Sequence, residues 1–181
     1  DNPAAAEFGT RCLIARRLVE RGVRFVSLFT GNQTWDHHSS ILTGLPAACL
    51  YVDQGAAALV TDLKQRGLLD TTVVHWGGEM GRLPVIQNRA GAKDRKTVGR
   101  DHNTYGFSMW LAGGGFKKGY VHGETDDYSY NIVRDGVHVH DLNATIMHLL
   151  GINHERLNFK YQGLDMRLTG IAGNVVKSIL T

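Results

Sequence analysis

An apolar strand-like run, a helical pattern and a second strand-like run follow one another along the chain. Residues 23–29 read VRFVSLF, a run rich in β-branched and aromatic residues. From about 47 to 66, Leu50, Ala57, Leu59, Val60 and Leu63 recur at helical spacing, and Gly67 is placed to end the helix. Residues 71–76, TTVVHW, are short and again rich in β-branched residues. Strand, helix and strand in this order predict a βαβ unit, hence two parallel strands with the helix laid across them. The expected fold class is α/β, a mostly parallel central sheet flanked by helices.

The rest of the chain is read onto that unit. Phe8, Cys12, Ile14, Ala15, Leu18 and Val19 predict a helix over 7–21, with Gly22 as its C-cap. Residues 106–112 read as a third strand ended by Gly113-Gly114-Gly115, and 120–122 as a short piece after it. Residues 142–150 predict a helix begun by Asp141 as N-cap and closed by Gly151. The stretch 157–168 alternates around Gln162-Gly163 as a hairpin would, and 175–180 is a short helix or tail. Between Gly77 and Asn103 the sequence has no period, and 88–94, NRAGAKD, is expected to be an exposed loop.

At 181 residues and 43% hydrophobic, the chain suits one domain, expected to span 1–181. The net charge is only +3, and the basic residues are scattered, so no stripe tracks a phosphate backbone and nucleic acid is excluded as the expected partner. No apolar run reaches the roughly 18 residues of a membrane span. Cys12 and Cys49 sit in no metal-binding spacing and are either buried thiols or a pair. The first residue is Asp1 and a helical pattern follows almost at once, which reads as a piece of something longer.

Chemistry is concentrated in clusters at predicted element ends, where ligands of open α/β sheets bind. Thr34-Trp35-Asp36-His37-His38-Ser39 follows the first strand, and Gly77-Gly78-Glu79-Met80-Gly81-Arg82 follows the second. Arg100-Asp101-His102-Asn103 leads into the third, and His138-Val139-His140-Asp141 precedes a helix. Carboxylates and imidazoles converging from separate elements are the donors a divalent ion needs. Adjacent His37 and His38 cannot both face one point on an extended backbone, so Asp36 and His38 are the preferred ligands and His37 faces elsewhere. His138 and His140 would share a strand face, with His140 preferred. Glu79 gains interest from the glycines before it, which let a backbone approach a ligand. Arg82 and Arg100 flank the acidic residues and are placed to hold an anion, or are surface arginines. No phosphate loop or dinucleotide fingerprint is present, and nothing reads as an activated nucleophile.

The series WDHH, VVHWGGEMGR, GRDHNTYGFSMWLAGGG, GYVHGETDDYSY, HVHDLNATIMHLLG and YQGLDMRLT resembles the C-terminal part of the DUF1501 proteins, a sulfatase-like family related to the alkaline phosphatase superfamily. The resemblance implies an alkaline-phosphatase-like α/β fold present here as its C-terminal half. It also implies hydrolysis of phosphate or sulfate esters and a divalent metal, Zn, Mn or Ca. By the same resemblance Asp36 and His38 match one metal site, Glu79 takes the place of a strand-end aspartate, and Met80 stands where an imidazole is expected. Asp101 or His102 would supply the missing donor, and His140, or else His138, the late histidine. The nucleophile would lie in an N-terminal half, and the location would be periplasmic or extracellular. The partners implied are a small anionic ester and either that N-terminal half or a second copy covering the open sheet edge. The alternative is a non-catalytic metal- or ligand-binding module of the same fold.

Overall fold

The computed structural model describes residues 3–87 and 94–181. The elements are α1 (Pro3–Glu20), α2 (Ile41–Gln65), β1 (Val74–Trp76), β2 (Gly81–Arg82), β3 (His102–Asn103), β4 (Trp110–Ala112), β5 (Glu124–Thr125), β6 (Ile132–Arg134), α3 (Val139–Leu149), β7 (Asn158–Tyr161) and β8 (Leu164–Arg167). They group into two compact units, one formed up to Leu69 and from Gly77–Met109, the other from Asp70–Trp76 and Trp110–Thr181.

The expected mostly parallel central sheet, flanked by helices in an alkaline-phosphatase-like arrangement, is not what the chain forms. Among the described residues every named strand belongs to a two-stranded antiparallel pair: β1 with β4, β2 with β3, β5 with β6, β7 with β8. The βαβ reading fails at its first strand. Residues 23–29 form no ladder, and Phe25 and Phe29 are 71% and 75% exposed. An apolar run becomes a strand only when a neighbour accepts its hydrogen bonds, and among the described residues no such strand partner is in place. The second strand exists, but its partner is β4, antiparallel, with Val74 opposite Ala112 and Trp76 opposite Trp110. Those two indoles stack with centroids 6.3 Å apart. The third strand shortens to Trp110–Ala112, and 120–122 is not a strand.

In the first unit α1 buries Ala5, Phe8, Cys12 and Ala15, spaced so as to form one stripe, against Ala48, Val52 and Leu63 of α2. The helices meet at Gly55, where an added Cβ would lie 2.9 Å from Phe8 Cδ1 and 3.1 Å from the Gly9 nitrogen. Cys12 and Cys49 are free thiols, and burial pushes the Cys12 thiol up. Helix α2 starts six residues before the expected position because the backbone of 97–98 caps it: Ser40 N–H donates to Thr97 O and Ile41 N–H to Val98 O. At the far ends of both helices, Arg16 Nε donates to Asp62 (2.7 Å) and Arg66 Nε to its other oxygen (2.7 Å), while both arginines also pair with Glu20. The Arg66 hydrogen bond, aided by Arg16, holds the Asp62 carboxyl below its usual value of 3.8.

Because the folded value is the lower one, this stabilisation is complete above the ordinary carboxylate range and is lost as pH falls through the folded value. Asp62→Asn is expected to lower the melting temperature at pH 7, and its deficit relative to the native chain is expected to shrink as pH falls from 5 to 3. Melting curves across that range check this, and a deficit independent of pH contradicts it.

The second unit carries α3, the β5–β6 and β7–β8 hairpins and the terminal segment. The N-cap of α3 is His138, with Asp141 completing a capping box, so the helix begins before the expected Asp141. Burial pushes the Asp141 carboxyl up, but N–H donors from Asn174 and His138 outweigh it and hold the carboxyl low. Thr145 Oγ1 donates to Asp141 O (2.7 Å) and accepts from Val176 N–H (2.9 Å), tying the terminal segment to α3. The expected hairpin around Gln162-Gly163 is present, both turn residues having positive φ, 49° and 84°. The expected loop at 88–94 lies, except for Asp94, outside the described residues. Among the described residues no helix is long and apolar enough to cross a membrane.

Candidate metal centre

Three chain segments of the first unit build the candidate site. The first is the turn after the exposed apolar run. Asp36 N–H donates to Gln33 O, His37 N–H to Trp35 O and His38 N–H to Asp36 O, each at 3.1 Å. These tight turns bring the side chains of Asp36 and His38 together and send the His37 ring over Gly44. The second segment is the β2–β3 pair, in which Arg82 stands opposite His102. Cross-strand partners present their side chains to one face, and here both reach Asp36. The third is the segment 97–100, held along 37–41 by the capping bonds of α2 and by Arg100 N–H donating to His37 O (3.0 Å). Gly99 is buried within it.

At the centre is a single carboxylate oxygen. Asp36 Oδ1 lies 3.0 Å from His38 Nε2 and 3.0 Å from His102 Nε2, and it also accepts from Arg82 Nη2. One donor atom from each of Asp36, His38 and His102 lies within 4.8 Å of the others, and all three residues are partly buried. The two imidazoles meet edge to face, centroids 4.7 Å apart. The Arg82 hydrogen bond holds the Asp36 carboxyl below the usual carboxylate range, with the charges of Arg82 and His38 acting in the same direction.

The donor set fits a divalent ion on an observation independent of the cluster itself. His38 Nδ1 is 2.7 Å from Gln87 Oε1. An amide oxygen only accepts, so Nδ1 donates to it and Nε2 is the ring nitrogen turned to Asp36 Oδ1. Gln87 is brought there by its antiparallel bridge to Gly99. An imidazole oriented from its far nitrogen, next to a carboxylate, is the arrangement of oriented metal-ligating histidines.

The other expected residues fall differently. Asp101 Oδ1 stands 3.8 Å from His38 Nδ1 and 3.7 Å from His102 Nδ1, on the nitrogens turned away from Asp36, and it accepts from His102 N–H. It lies outside the group of donor atoms within 4.8 Å of one another. Glu79 is exposed on the bend leading into β2. Arg82 donates to Asp36, to Trp35 O (3.0 Å) and to Arg100 O (3.0 Å), so it is an internal clamp. The Arg100 side chain is exposed and donates to Leu83 O at 3.5 Å. His138 and His140 belong to the second unit, where His140 N–H donates to His138 Nδ1 (3.2 Å) and the rings lie 4.9 Å apart. Sequence reasoning missed Gln87 and Gly99, which no local pattern marks.

A family model described as "Protein of unknown function (DUF1501)" matches residues 1–180 of the chain. No curated protein and no solved structure matches it.

Proposed function

We propose, for a chain that belongs to the DUF1501 family, a divalent-metal site at Asp36, His38 and His102 serving hydrolysis of small phosphate or sulfate esters. The observation that carries this reading is the pair of Nε2 atoms facing one carboxylate oxygen, with His38 oriented from behind by Gln87. Two imidazoles and one carboxylate form a donor set of the kind catalytic zinc sites use, leaving positions open for other ligands. The ion would supply Lewis-acid polarisation of an ester oxygen. The chain's own residues do the rest: Gln87 orients the His38 ring, Asp101 adds negative charge near both Nδ1 atoms, and Arg82 fixes Asp36 and adds positive charge beside it.

Hydrolysis of p-nitrophenyl phosphate and p-nitrophenyl sulfate, measured with Zn, Mn or Ca before and after chelation, tests this. The expected result is turnover of at least one ester that chelation abolishes and His102→Ala removes. Metal binding without turnover would instead support a non-catalytic metal-binding module, a reading favoured by the guanidinium already neutralising Asp36. Gln87→Leu is expected to weaken metal affinity by about 10–100-fold while leaving the circular dichroism spectrum unchanged, since it removes only the acceptor that orients His38. Calorimetric titration measures it, and unchanged affinity would remove Gln87 from the site.

A further inference from the structure

We infer that Arg82 couples cation and anion binding, so that a divalent cation and a small oxyanion bind this site more tightly together than apart; this rests on the metal reading above. Asp36 and Asp101 contribute two negative charges beside the imidazoles, and the Arg82 guanidinium, paired with Asp36, contributes a positive one. A dication entering between Asp36, His38 and His102 would leave these groups with a net positive charge. It also comes close to the Arg82 guanidinium, which sits on the carboxylate the cation would share.

Arg82 cannot simply withdraw, because Nη1 is held by Arg100 O and Nη2 by Trp35 O, each at 3.0 Å. The repulsion between two fixed cations is relieved by an anion that touches both. A tetrahedral oxyanion has the several acceptor oxygens this requires, and guanidinium binds such oxygens well. Arg100, whose backbone carbonyl accepts from Arg82, has an exposed side chain that forms no ion pair among the described residues. Linkage makes the effect reciprocal: an anion that favours the loaded site must raise cation affinity by the same factor.

The test is calorimetric titration of zinc into the native chain, in sodium chloride and in sodium sulfate at matched ionic strength. Sulfate is expected to tighten zinc binding by about 5–150-fold. Arg82→Gln is expected to bind zinc more tightly than the native chain in chloride and to lose the sulfate effect, whereas Arg82→Lys, which keeps the charge, retains it. Equal zinc affinity of the native chain in the two salts overturns the inference whatever the variants do. So does a sulfate effect that persists in a folded Arg82→Gln chain. Absence of zinc binding in both salts overturns the metal reading itself and this inference with it, which separates the two failures.

Discussion

Gly99→Ala is expected to weaken divalent-metal binding by at least tenfold and to destabilise the first unit, although residue 99 touches no metal donor atom. An added Cβ there would lie 2.1 Å from the His38 carbonyl carbon and 2.4 Å from the His37 and His38 oxygens. These are backbone atoms, so no side chain can swing aside, and the 37–38 turn must move away from 97–100. That shift breaks Arg100 N–H to His37 O and displaces His38 from Gln87. Overpacking of this kind costs about 1–3 kcal/mol, and misplacing one of three donors costs affinity in addition. Thermal melts and calorimetric zinc titration of Gly99→Ala beside Gly67→Ala separate the two effects. Nothing lies within 4 Å of a Cβ at Gly67, but its φ is +68°, so Gly67→Ala is expected to lose stability and keep its zinc affinity. Gly99→Ala with native affinity would show that the turn at 37–38 does not shape the site.

The second large effect concerns Asp36. With zinc at about 100 times its dissociation constant, the native chain is expected to gain about 2.7 kcal/mol, which corresponds to roughly 5–10 °C in melting temperature for a chain of this size. Asp36→Ala is expected to show no zinc-dependent shift. It removes the one oxygen on which both Nε2 atoms and the guanidinium converge, and it leaves Arg82 as an uncompensated cation facing the incoming ion. Differential scanning fluorimetry with and without zinc reads this directly. A shift in Asp36→Ala equal to the native one would place the ion elsewhere.

The helices were the readable part of the fold because their signals are local. The 3.6-residue stripe of α1, the stop at Gly22 and Gly67, and the apolar face of α3 are written within a few turns of sequence. The Gln162-Gly163 hairpin was readable for the same reason. The sheet was not, because strand pairing depends on residues far apart. The run 23–29 has strand composition, but among the described residues no strand pairs with it, and residues 74–76 pair antiparallel with 110–112 rather than parallel with the earlier run. The start of α2 was misplaced because its cap comes from the backbone of 97–98 rather than from a local side chain.

The site divides along the same line. Asp36, His38 and His102 belong to clusters that the sequence displays, since imidazoles beside carboxylates stand out wherever they occur. The Gln87–His38 contact spans 49 residues and the Arg82–Asp36 contact 46. The close passage of Gly99 under residues 37 and 38 has no sequence signal at all. The sequence likewise leaves Asp101 and His102 as alternative donors, and only the folded backbone turns His102 Nε2 to Asp36 and sets Asp101 beside the Nδ1 atoms.

The most direct test of the metal centre is elemental analysis by mass spectrometry of the chain after incubation with zinc, manganese or calcium and exhaustive dialysis, beside the Asp36→Ala, His38→Ala double variant. Near-stoichiometric retention of one ion by the native chain, and none by the variant, is the expected result. Equal retention by both chains, or none by either, would contradict a metal centre at Asp36, His38 and His102.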